Sequence, residues 1–485
     1  MHYRRRSPAG SLAVAALAMG GSTALAAQPP QVLNPGTYAN LVRFSDGSIK
    51  RVRASNGYLR SQTSLDHGLT WSSEVAEFPL AGSTNPVPVI DLSNQLHYVR
   101  LLVRDETNGG TRIPNVNYFL DIWHYTAHDG VNWTANMAQA AYTGSIMDAI
   151  SLTRGSARGR LIVPYGDAFV GSSGGYGKNF TKVIYSDDAG RTWHASPSQL
   201  KSPVPAGWNG SPDGACEPSI AELGDGQLWM LMRTQASALY ESRSDDAGVT
   251  WSEARPSLFY SSTGPPNFLR LDDGRLMLFW NNATMPPRYN GSIVYAGRDA
   301  LHAAISEDDG KTWKGFREVY LDPYRNENPI TGDSGTAYPF PAATADGRAL
   351  VIAGQAQARA MLRINPDWLL ETSRSSDFAN GLADWSVFKP YGPVINVKRN
   401  RKVGPQLVFD PQENKQVMHL RRPDSDDPDG AAWNFPMAKK GQTQLRLKIS
   451  AGFGGGVISL GDRFFEPTDA QGEANAIFQI PISAD

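Results

Sequence analysis

Few groups of residues in this chain have the types and spacing of a known catalytic or metal-binding pattern. His124 and His128 have the H-x-x-x-H spacing that places two imidazoles on one face of a helix, where they could bind zinc. The residues around them are typical of a strand that runs into a hairpin, in which this spacing does not bring the rings together. Cys216 stands beside Glu217, but no histidine is close in sequence to activate its thiol. The sequence therefore predicts no metal site and no cofactor.

An octapeptide containing an aspartate, a glycine and a tryptophan recurs along the chain. The aspartate, its third residue, can accept hydrogen bonds from backbone N–H groups across a tight turn, and the glycine, its fifth, tolerates a positive φ. Because an active site occurs once whereas these aspartates recur, we interpret them as structural; they are Asp66, Asp188, Asp246 and Asp308. A degenerate copy at residues 126–133 has His128 at the aspartate position, and we expect its hairpin to be the least well tied.

The spacing of this octapeptide predicts the architecture. Its tryptophans are 58 to 62 residues apart, at Trp71, Trp133, Trp193, Trp251 and Trp313. Each unit holds four short strand-like segments with the octapeptide between the last two, which is the organisation of a propeller blade, and we expect each tryptophan to fill the gap to the neighbouring unit. A sixth unit, without an octapeptide, follows Trp313. We predict an all-β protein with a six-bladed β-propeller over residues 36–372.

The segments that flank the predicted propeller differ from it. Residues 373–485 contain alternating strands separated by Gly, Asp and Pro turns, and they predict a small C-terminal β-sandwich of the jelly-roll or lectin type, short for such a domain. At the other end, three arginines precede an apolar stretch and a small-residue site, which is typical of a secretory signal peptide over residues 1–27. The sequence therefore predicts a secreted or periplasmic protein without membrane insertion.

Composition narrows the possible partners. Hydrophobic residues make up 41% of the chain and charged residues 19%, and the 47 glycines and 33 prolines indicate many turns. The net charge is −1 and no run of Lys or Arg follows the N-terminal segment, so we expect no nucleic-acid partner. Aromatic residues reach 10%, which suits both strands and surfaces that stack sugar rings.

The octapeptide S-x-D-x-G-x-T-W resembles the Asp-box, and a six-bladed propeller with Asp-boxes is similar to the sialidase (neuraminidase) superfamily of glycoside hydrolases. Two segments between the boxes extend the resemblance. CEPSIAELGDGQLWMLMRT has the order of glutamate, D-G turn and arginine found in bacterial sialidases, and it supplies Glu217 and Arg233. TAYPFPAATADG supplies Tyr338, at the place of the family's tyrosine in the last blade.

The resemblance implies an exo-acting glycoside hydrolase that retains anomeric configuration and releases terminal sialic acid or a related sugar from glycans. It implies Tyr338 as the nucleophile, Glu217 as the base that takes its phenolic proton, and Arg233 as one of three arginines that bind the substrate carboxylate. A phenol with a pKa of about 10 is a poor nucleophile at neutral pH. A carboxylate within hydrogen-bond reach is therefore required.

Three features depart from the family pattern. The R-I-P triplet of the first strand is missing, and these letters occur only in the second blade, at Arg112. The position of the third arginine holds Ala304, and the nearest arginine is Arg298. The acid/base aspartate expected before the first box is missing as well, which leaves Asp121 and Asp148 as candidates for its role. An incomplete arginine triad favours a related sugar that is neutral or carries its acid group at another carbon.

Two other functions remain open at the level of sequence. A polysaccharide lyase on the same propeller would use Tyr338 or His302 to remove a proton next to a uronate carboxylate that Arg233 neutralises. A carbohydrate-binding propeller would perform no catalysis. The products distinguish them: a hydrolase leaves a saturated reducing sugar, a lyase leaves an unsaturated product, and a binding module leaves the glycan intact.

Overall fold

The structure, a computed structural model, consists mainly of antiparallel β-sheets. Within its described part the only helices are two 3-10 segments, Ala356–Ala358 and Pro366–Leu370, and neither could cross a membrane. The structure describes residues 11–15, 27–36, 38–80, 85–103, 120–141, 145–168, 178–203, 213–283, 297–322, 335–382, 385–388, 404–421, 429–464 and 476–483.

Two strands precede the first blade, and three sheets follow in chain order. These strands are β1 (Ser11–Ala15), β2 (Gln31–Pro35), β3 (Asn40–Arg43), β4 (Ile49–Ser55), β5 (Tyr58–Ser64), β6 (Val75–Pro79), β7 (Val87–Ile90), β8 (Leu96–Val103), β9 (Leu120–Thr126), β10 (Thr134–Gln139), β11 (Ile150–Ser151), β12 (Leu161–Ala168), β13 (Lys178–Ser186), β14 (His194–Ala195) and β15 (Asp213–Gly214). Strands β3–β6, β7–β10 and β11–β14 form blades 1, 2 and 3, and β15 pairs in parallel with β13.

Three further blades complete the ring. Their strands are β16 (Cys216–Glu222), β17 (Leu228–Arg233), β18 (Ala238–Ser244), β19 (Arg255–Tyr260), β20 (Asn267–Arg270), β21 (Leu276–Trp280), β22 (Ala300–Ser306), β23 (Lys314–Leu321), β24 (Phe340–Ala343), β25 (Ala349–Ala353) and β26 (Ala360–Ile364). Strands β16–β19 form blade 4, β20–β23 form blade 5, and β24–β26 belong to blade 6. The first strands of successive blades contact one another around a closed ring, except that blade 3 reaches blade 4 through β12. The predicted six-bladed propeller is confirmed.

Blade 6 takes its outer strand from the beginning of the chain. Strand β2 pairs antiparallel with β26, and Val32 stands opposite Leu362. The predicted start of the propeller at residue 36 leaves this strand out. Strand β2 ends in a proline and has no Asp-box beside it, so no repeat pattern marks it as part of a blade.

The second strands of blades 4, 5 and 6 are buried along their whole length. All residues of β17 and β21 are inaccessible to solvent, because each blade packs a neighbour against each of its two faces. This explains why their sequences, LWMLMR and LMLFW, are continuous apolar runs rather than alternating ones.

The Asp-boxes form the turns between the third and fourth strands of blades 1, 3, 4 and 5. In the box of blade 4, Asp246 accepts hydrogen bonds from the Thr250 amide (2.8 Å), the Thr250 hydroxyl (2.6 Å) and the Ser244 hydroxyl (2.8 Å). The tryptophan indole, Trp251 Nε1, donates to the Gly248 carbonyl (3.1 Å). The same bonds recur around Asp66, Asp188 and Asp308. The structural role predicted for these aspartates is confirmed.

The degenerate box of blade 2 is tied differently from the intact boxes. His128 makes none of the box bonds; instead Asp129 accepts from the amides of Val131 (2.9 Å) and Asn132 (2.7 Å) and from the Asn132 side chain (2.6 Å). The aspartate one position later thus takes over the turn, and the expectation that this hairpin is the least well tied stays a prediction. These bonds lower the pKa of Asp129 to about 2, chiefly through the Asn132 amide.

Each box tryptophan fills the seam to the preceding blade, as predicted. Trp313 of blade 5 packs 5.9 Å from Trp229 and 5.3 Å from Phe259 of blade 4, between ring centroids. Blade 6 has no box, and Trp368 of its 3-10 helix packs into the core shared with blade 5 instead. The guanidinium of Arg317, on β23, lies 3.2 Å from the Trp368 ring centroid. A different element thus supplies the sixth seam.

The C-terminal region forms smaller sheets, with strands β27 (Trp385–Phe388), β28 (Gln406–Asp410), β29 (Lys415–Arg421), β30 (Gly430–Trp433), β31 (Arg446–Ile449), β32 (Gly456–Leu460) and β33 (Phe478–Ile482). Strand β1, from the predicted signal peptide, lies between β29 and β31. Strand β27 pairs with β30, and β32 with β33. The predicted sandwich over residues 373–485 and the signal peptide stay predictions. The region contacts blade 5, where Phe464 N donates to the Asn282 carbonyl (2.8 Å).

Candidate active site

Glu217 and Arg233 are brought together by one hairpin of blade 4. Strands β16 and β17 are joined by a tight turn, and their register places Cys216 opposite Arg233. The pairing is irregular between Cys216 and Ser219, and within this bulge Glu217 has φ of 47°. Bulges re-aim side chains, and a positive φ in a non-glycine residue is costly unless the surroundings enforce it. The hairpin therefore fixes the direction of the Glu217 carboxylate.

Tyr338 lies just before the inner strand of blade 6 and also has a positive φ, of 63°. Its neighbours are held from both sides: the Gly354 amide donates to the Ala337 carbonyl (2.8 Å), and the Asn267 side chain donates to the Pro339 carbonyl (2.9 Å). Three residues earlier, Gly335 has φ of 88°, and a Cβ there would come within 2.4 Å of the Arg298 carbonyl oxygen. Only glycine permits this close approach.

The three residues chosen from the sequence meet at the centre of the propeller. The Tyr338 hydroxyl donates to Glu217 Oε1 at 2.8 Å. Arg233 Nη1 donates to the Tyr338 hydroxyl oxygen at 3.1 Å and also binds the other carboxylate oxygen of Glu217. Arg233 is 1% exposed and Glu217 is 7% exposed. A phenol, a carboxylate and a guanidinium therefore share one buried hydrogen-bond cluster, called the central cluster below.

Charge pairing stabilises the cation in this cluster. Burial alone would lower the pKa of the Arg233 guanidinium, but the Glu217 carboxylate, and after it Tyr338 and Cys216, raise that pKa above its ordinary value. A buried ion pair of this kind costs several kcal/mol when one partner is removed, because the other charge is left uncompensated; the general range is about 3–5 kcal/mol. Glu217 and Arg233 therefore act as a unit.

A threonine that the sequence did not single out supports the cluster. The Thr263 hydroxyl accepts from Arg233 Nε (3.1 Å) and Nη2 (2.7 Å), while its carbonyl accepts from Arg298 Nε (3.0 Å) and Nη2 (2.5 Å). Arg298 also donates to Gln355 Oε1 at 2.9 Å, and its guanidinium lies 5.5 Å from the Tyr338 ring centroid. Thr263 lies in the loop between β19 and β20, so one loop residue fixes both arginines.

Most of the Arg233 donors are engaged inside the protein. An arginine has five N–H groups. In Arg233 four of them point at Glu217, Tyr338 and Thr263. One Nη2 N–H remains for a substrate atom, so the guanidinium, as positioned, cannot grip a carboxylate with two parallel hydrogen bonds. Its main contacts orient the Tyr338–Glu217 couple.

A hydrogen-bond chain links four inner strands next to the cluster. The Ser219 hydroxyl donates to Asp148 Oδ2 (2.8 Å) and lies 3.2 Å from Asn267 Oδ1. Asn267 in turn donates to the Pro339 carbonyl beside Tyr338. Burial raises the pKa of the Asp148 carboxyl, against the lowering effect of hydrogen bonds from Ile220 and Ser219. Asp148 is thus a carboxyl of raised pKa that is linked through Ser219 and Asn267 to the residue after Tyr338.

The other candidates are placed less favourably. Asp121 is 4% exposed at the start of β9 and accepts from the Ala141 amide at 3.0 Å. His302 is buried on β22 beside the Trp280 ring, and burial lowers its pKa to about 4. None of the described contacts of His302 involves the central cluster. Arg112 lies outside the described residues.

No sequence motif identified Thr263, Gln355 or the Ser219–Asn267 link. Thr263 contributes a hydroxyl and a carbonyl from an SSTGPP loop, and neither group has a sequence signature. No group of three or more His, Cys, Asp or Glu that could hold a metal gathers in the part of the chain that the structure describes. The chemistry available in the cluster is proton transfer between a phenol and a carboxylate, with a fixed cation beside both.

Several solved structures are similar to this chain. The NanB sialidase from Streptococcus pneumoniae matches at 15% identity with a TM-score of 0.48, over 70% of this chain and 71% of that one. An intramolecular trans-sialidase from leech matches at 15% identity and a TM-score of 0.45, over 73% and 71%. A protein of unknown function from Dyadobacter fermentans matches at 18% identity and a TM-score of 0.46, over 70% and 97%.

The family match is defined on the sequence itself. Residues 77–352, more than half of the chain, match the BNR repeat-like domain family. The matched segment runs from the end of blade 1 into blade 6 and includes Glu217, Arg233 and Tyr338. The four intact Asp-boxes and the six four-stranded blades agree with that match. The chain therefore belongs to the BNR repeat-like domain family and folds as a six-bladed propeller.

Proposed function

We propose that this protein is an exo-acting, retaining glycoside hydrolase that releases terminal sialic acid or a related sugar from glycans. The observation that carries the proposal is the hydrogen bond of 2.8 Å from the Tyr338 hydroxyl to Glu217, with Arg233 donating to both. A carboxylate positioned to take a phenolic proton turns a weak nucleophile into an active one. The cation stabilises the phenolate charge that develops as the proton leaves.

The reaction would proceed in two steps. Tyr338 Oη attacks the anomeric carbon, the bond to the leaving oxygen breaks, and the phenolic proton passes to Glu217. Water then attacks the same carbon and gives a proton to the carboxylate that protonated the leaving oxygen, the bond to Tyr338 breaks, and the proton on Glu217 returns to the phenolate oxygen. Two inversions at one carbon give retention of configuration.

We assign the proton for the leaving oxygen to Asp148 rather than Asp121. A general acid has to be protonated at the working pH, and burial raises the pKa of the Asp148 carboxyl. Asp148 lies at the entry to the inner strand of blade 3 and is linked through Ser219 and Asn267 to the residue after Tyr338, whereas Asp121 is buried beneath the Ala141 amide. A substrate with an activated phenolic leaving group needs no such proton, so it should restore most of the activity of Asp148→Asn.

The hydrogen bonds that Arg233 makes inside the protein limit how it could bind a substrate. Four of the five N–H groups of Arg233 are engaged inside the protein, and Arg298 donates to Thr263 and Gln355. A substrate carboxylate would therefore be bound more weakly than in a site with three available arginines. This supports a sialic acid or a related sugar held largely through its hydroxyl groups.

The test is to trap the glycosyl-enzyme. The protein is incubated with a fluorinated sialosyl fluoride and with its analogues for related sugars, and the digest is analysed by mass spectrometry. We expect one adduct, on the peptide that contains Tyr338, and none in Tyr338→Phe. In parallel, a panel of glycans is screened for saturated and for unsaturated products. An unsaturated product would favour a lyase, and a panel left intact would favour a binding module; either result contradicts the proposal.

A further inference from the structure

A groove separate from the central cluster lies on blade 1, where the segment between β2 and β3 passes over it. Its polar walls are formed by Tyr38, Arg51, Arg53, Arg60, Gln62 and Glu74. Three of these six side chains are cationic and one is anionic. The groove therefore has a local excess of positive charge, although the net charge of the whole chain is −1.

The strand register concentrates this charge on one face. In the β4–β5 pair, Arg53 stands directly opposite Arg60, and Arg51 stands opposite Gln62. Like charges that face each other across two strands destabilise the sheet. Glu74 lies between the first two, accepting from Arg53 Nε at 2.8 Å and lying 3.6 Å from Arg60 Nη1. One carboxylate thus serves two guanidinium groups.

Arg51 makes no direct ion pair among the described contacts, although the charge of Glu74 acts on it. Its Nε and Nη2 both donate to the amide oxygen of Gln62, at 2.9 and 2.6 Å, and the guanidinium lies 4.5 Å from the Trp71 ring centroid. Its Nη1 atom is buried and finds no hydrogen-bond partner among the described residues. Burial, and after it the charge of Arg53, lowers the pKa of Arg51, against the smaller raising effect of Glu74. An anion bound beside these side chains would stabilise the charged form of Arg51 and so offset both the burial and the repulsion from Arg53.

The rim of the groove carries a sugar-sized aromatic surface. Tyr38 is 42% exposed, and the guanidinium of Arg359 from blade 6 lies 4.1 Å from its ring centroid. Guanidinium forks bind oxyanions through parallel hydrogen bonds, and exposed aromatic rings pack against the apolar faces of sugars. We propose that this groove binds a sugar oxyanion, a sulfate ester or a carboxylate, carried by an acidic glycan. The site does not depend on the reaction proposed for the central cluster.

Calorimetric titration of the full chain tests this inference with three oligosaccharides. An oligogalacturonide carries carboxylates only, a carrageenan oligosaccharide carries sulfate esters only, and cellotetraose is neutral. We expect one or both acidic ligands to bind, which identifies the group recognised, and the neutral one not to bind. Added salt should weaken the interaction. Failure of both acidic ligands, or equal binding of cellotetraose, would overturn the proposal.

Variants locate the binding and separate it from the central cluster. Arg51→Gln and Arg60→Gln should each weaken binding at least tenfold, while Arg43→Gln, which removes a blade 1 arginine paired with Asp272, should not. Glu74→Gln removes the competing carboxylate and should tighten binding severalfold, an effect that misfolding cannot mimic. Tyr338→Phe should bind like the parent protein. Unchanged binding in the first two variants, or a loss in Tyr338→Phe, would refute the assignment to this groove.

Discussion

The Asp-box turns and the central cluster both hold an acidic side chain beside a strained backbone, but they hold it differently. In the boxes the residue before the glycine has a positive φ, as in Ala189 and Ala247, and the aspartate accepts hydrogen bonds from its own turn. In the cluster the strained residues are Glu217 and Tyr338 themselves. The boxes tie a turn that recurs, whereas the cluster uses contacts between blades to aim two side chains at each other.

This difference shows how to separate structural from functional carboxylates within one fold. A box aspartate lies at the end of the third strand of its blade, while the cluster lies where inner strands begin, at the opposite end of the antiparallel sheet. Removing a box aspartate should change stability and leave the chemistry intact. Removing the Tyr338 hydroxyl while keeping the shape of the ring should do the reverse.

The largest expected effect is on turnover. Tyr338→Phe removes the nucleophilic oxygen and should lower kcat by several orders of magnitude, with an unchanged thermal transition. Glu217→Gln should be nearly as severe, and the double variant should be hardly worse than either, because the two residues act as a unit. Initial rates on an aryl glycoside of the cleaved sugar measure this. Near-normal rates for Tyr338→Phe, or fully additive losses, would exclude this couple as the reacting pair.

The sixth seam allows a test of stability at a position without a box. Trp368→Ala removes a side chain that is 3% exposed and stacked on Arg317, so it should destabilise the protein by about 3–5 kcal/mol. Trp368→Phe keeps part of the packing and should cost less. Chemical denaturation monitored by circular dichroism gives both values. A cost below about 1 kcal/mol for the alanine variant would mean that this residue does not close the ring.

A smaller loss of stability is expected from a single box. Asp246→Ala leaves the Thr250 amide and hydroxyl without their acceptor, an effect comparable to losing a helix cap, so it should cost about 1–2 kcal/mol. The neighbouring Asp245 bonds only to the exposed Gln227 side chain among the described contacts, which makes Asp245→Ala the matched control. Activity on a small substrate should stay within twofold in both. Equal stability of the two variants would contradict the structural role of the box.

The smallest expected effect is a dependence of stability on pH. Hydrogen bonds from Thr70 lower the pKa of Asp66 to about 2, and those from Asn132 do the same for Asp129. A lowered carboxyl pKa stabilises the fold above the unfolded value of about 4 and loses that contribution as pH falls toward 2. Thermal melts between these limits should show a decline that is shallower in Thr70→Val. A melting temperature that does not change over this pH range would show that these aspartates have the same pKa in the folded and the unfolded state.

The sequence predicted the repeated turns better than the elements that occur once. All the hydrogen bonds of an Asp-box form within eight consecutive residues. The spacing of the five copies therefore predicted five of the six seams between blades. Strand β2, Trp368 and Asp129 replace parts of the pattern with residues that match no repeat, and their roles depend on contacts that only folding creates.

The same reasoning applies to the candidate site. Glu217, Arg233 and Tyr338 could be chosen from local motifs, and the structure brings them together. The engagement of Arg233 by Thr263 could not be predicted, because it depends on a loop from the next blade. The groove on blade 1 was missed because its arginines, read along the chain, are ordinary alternating strand residues; only the pairing of β4 with β5 makes them face one another.

The strand that closes blade 6 also constrains the order of folding. Val32 and Leu362 are neighbours in the sheet, yet 330 residues of chain separate them. Contacts between such distant segments form late, because closing so long a loop costs conformational entropy before any contact stabilises it. Until β26 has been synthesised, β2 has no partner and blade 6 cannot exist. The protein should therefore reach its native state only after most of the chain has left the ribosome, with ring closure as the slow final event.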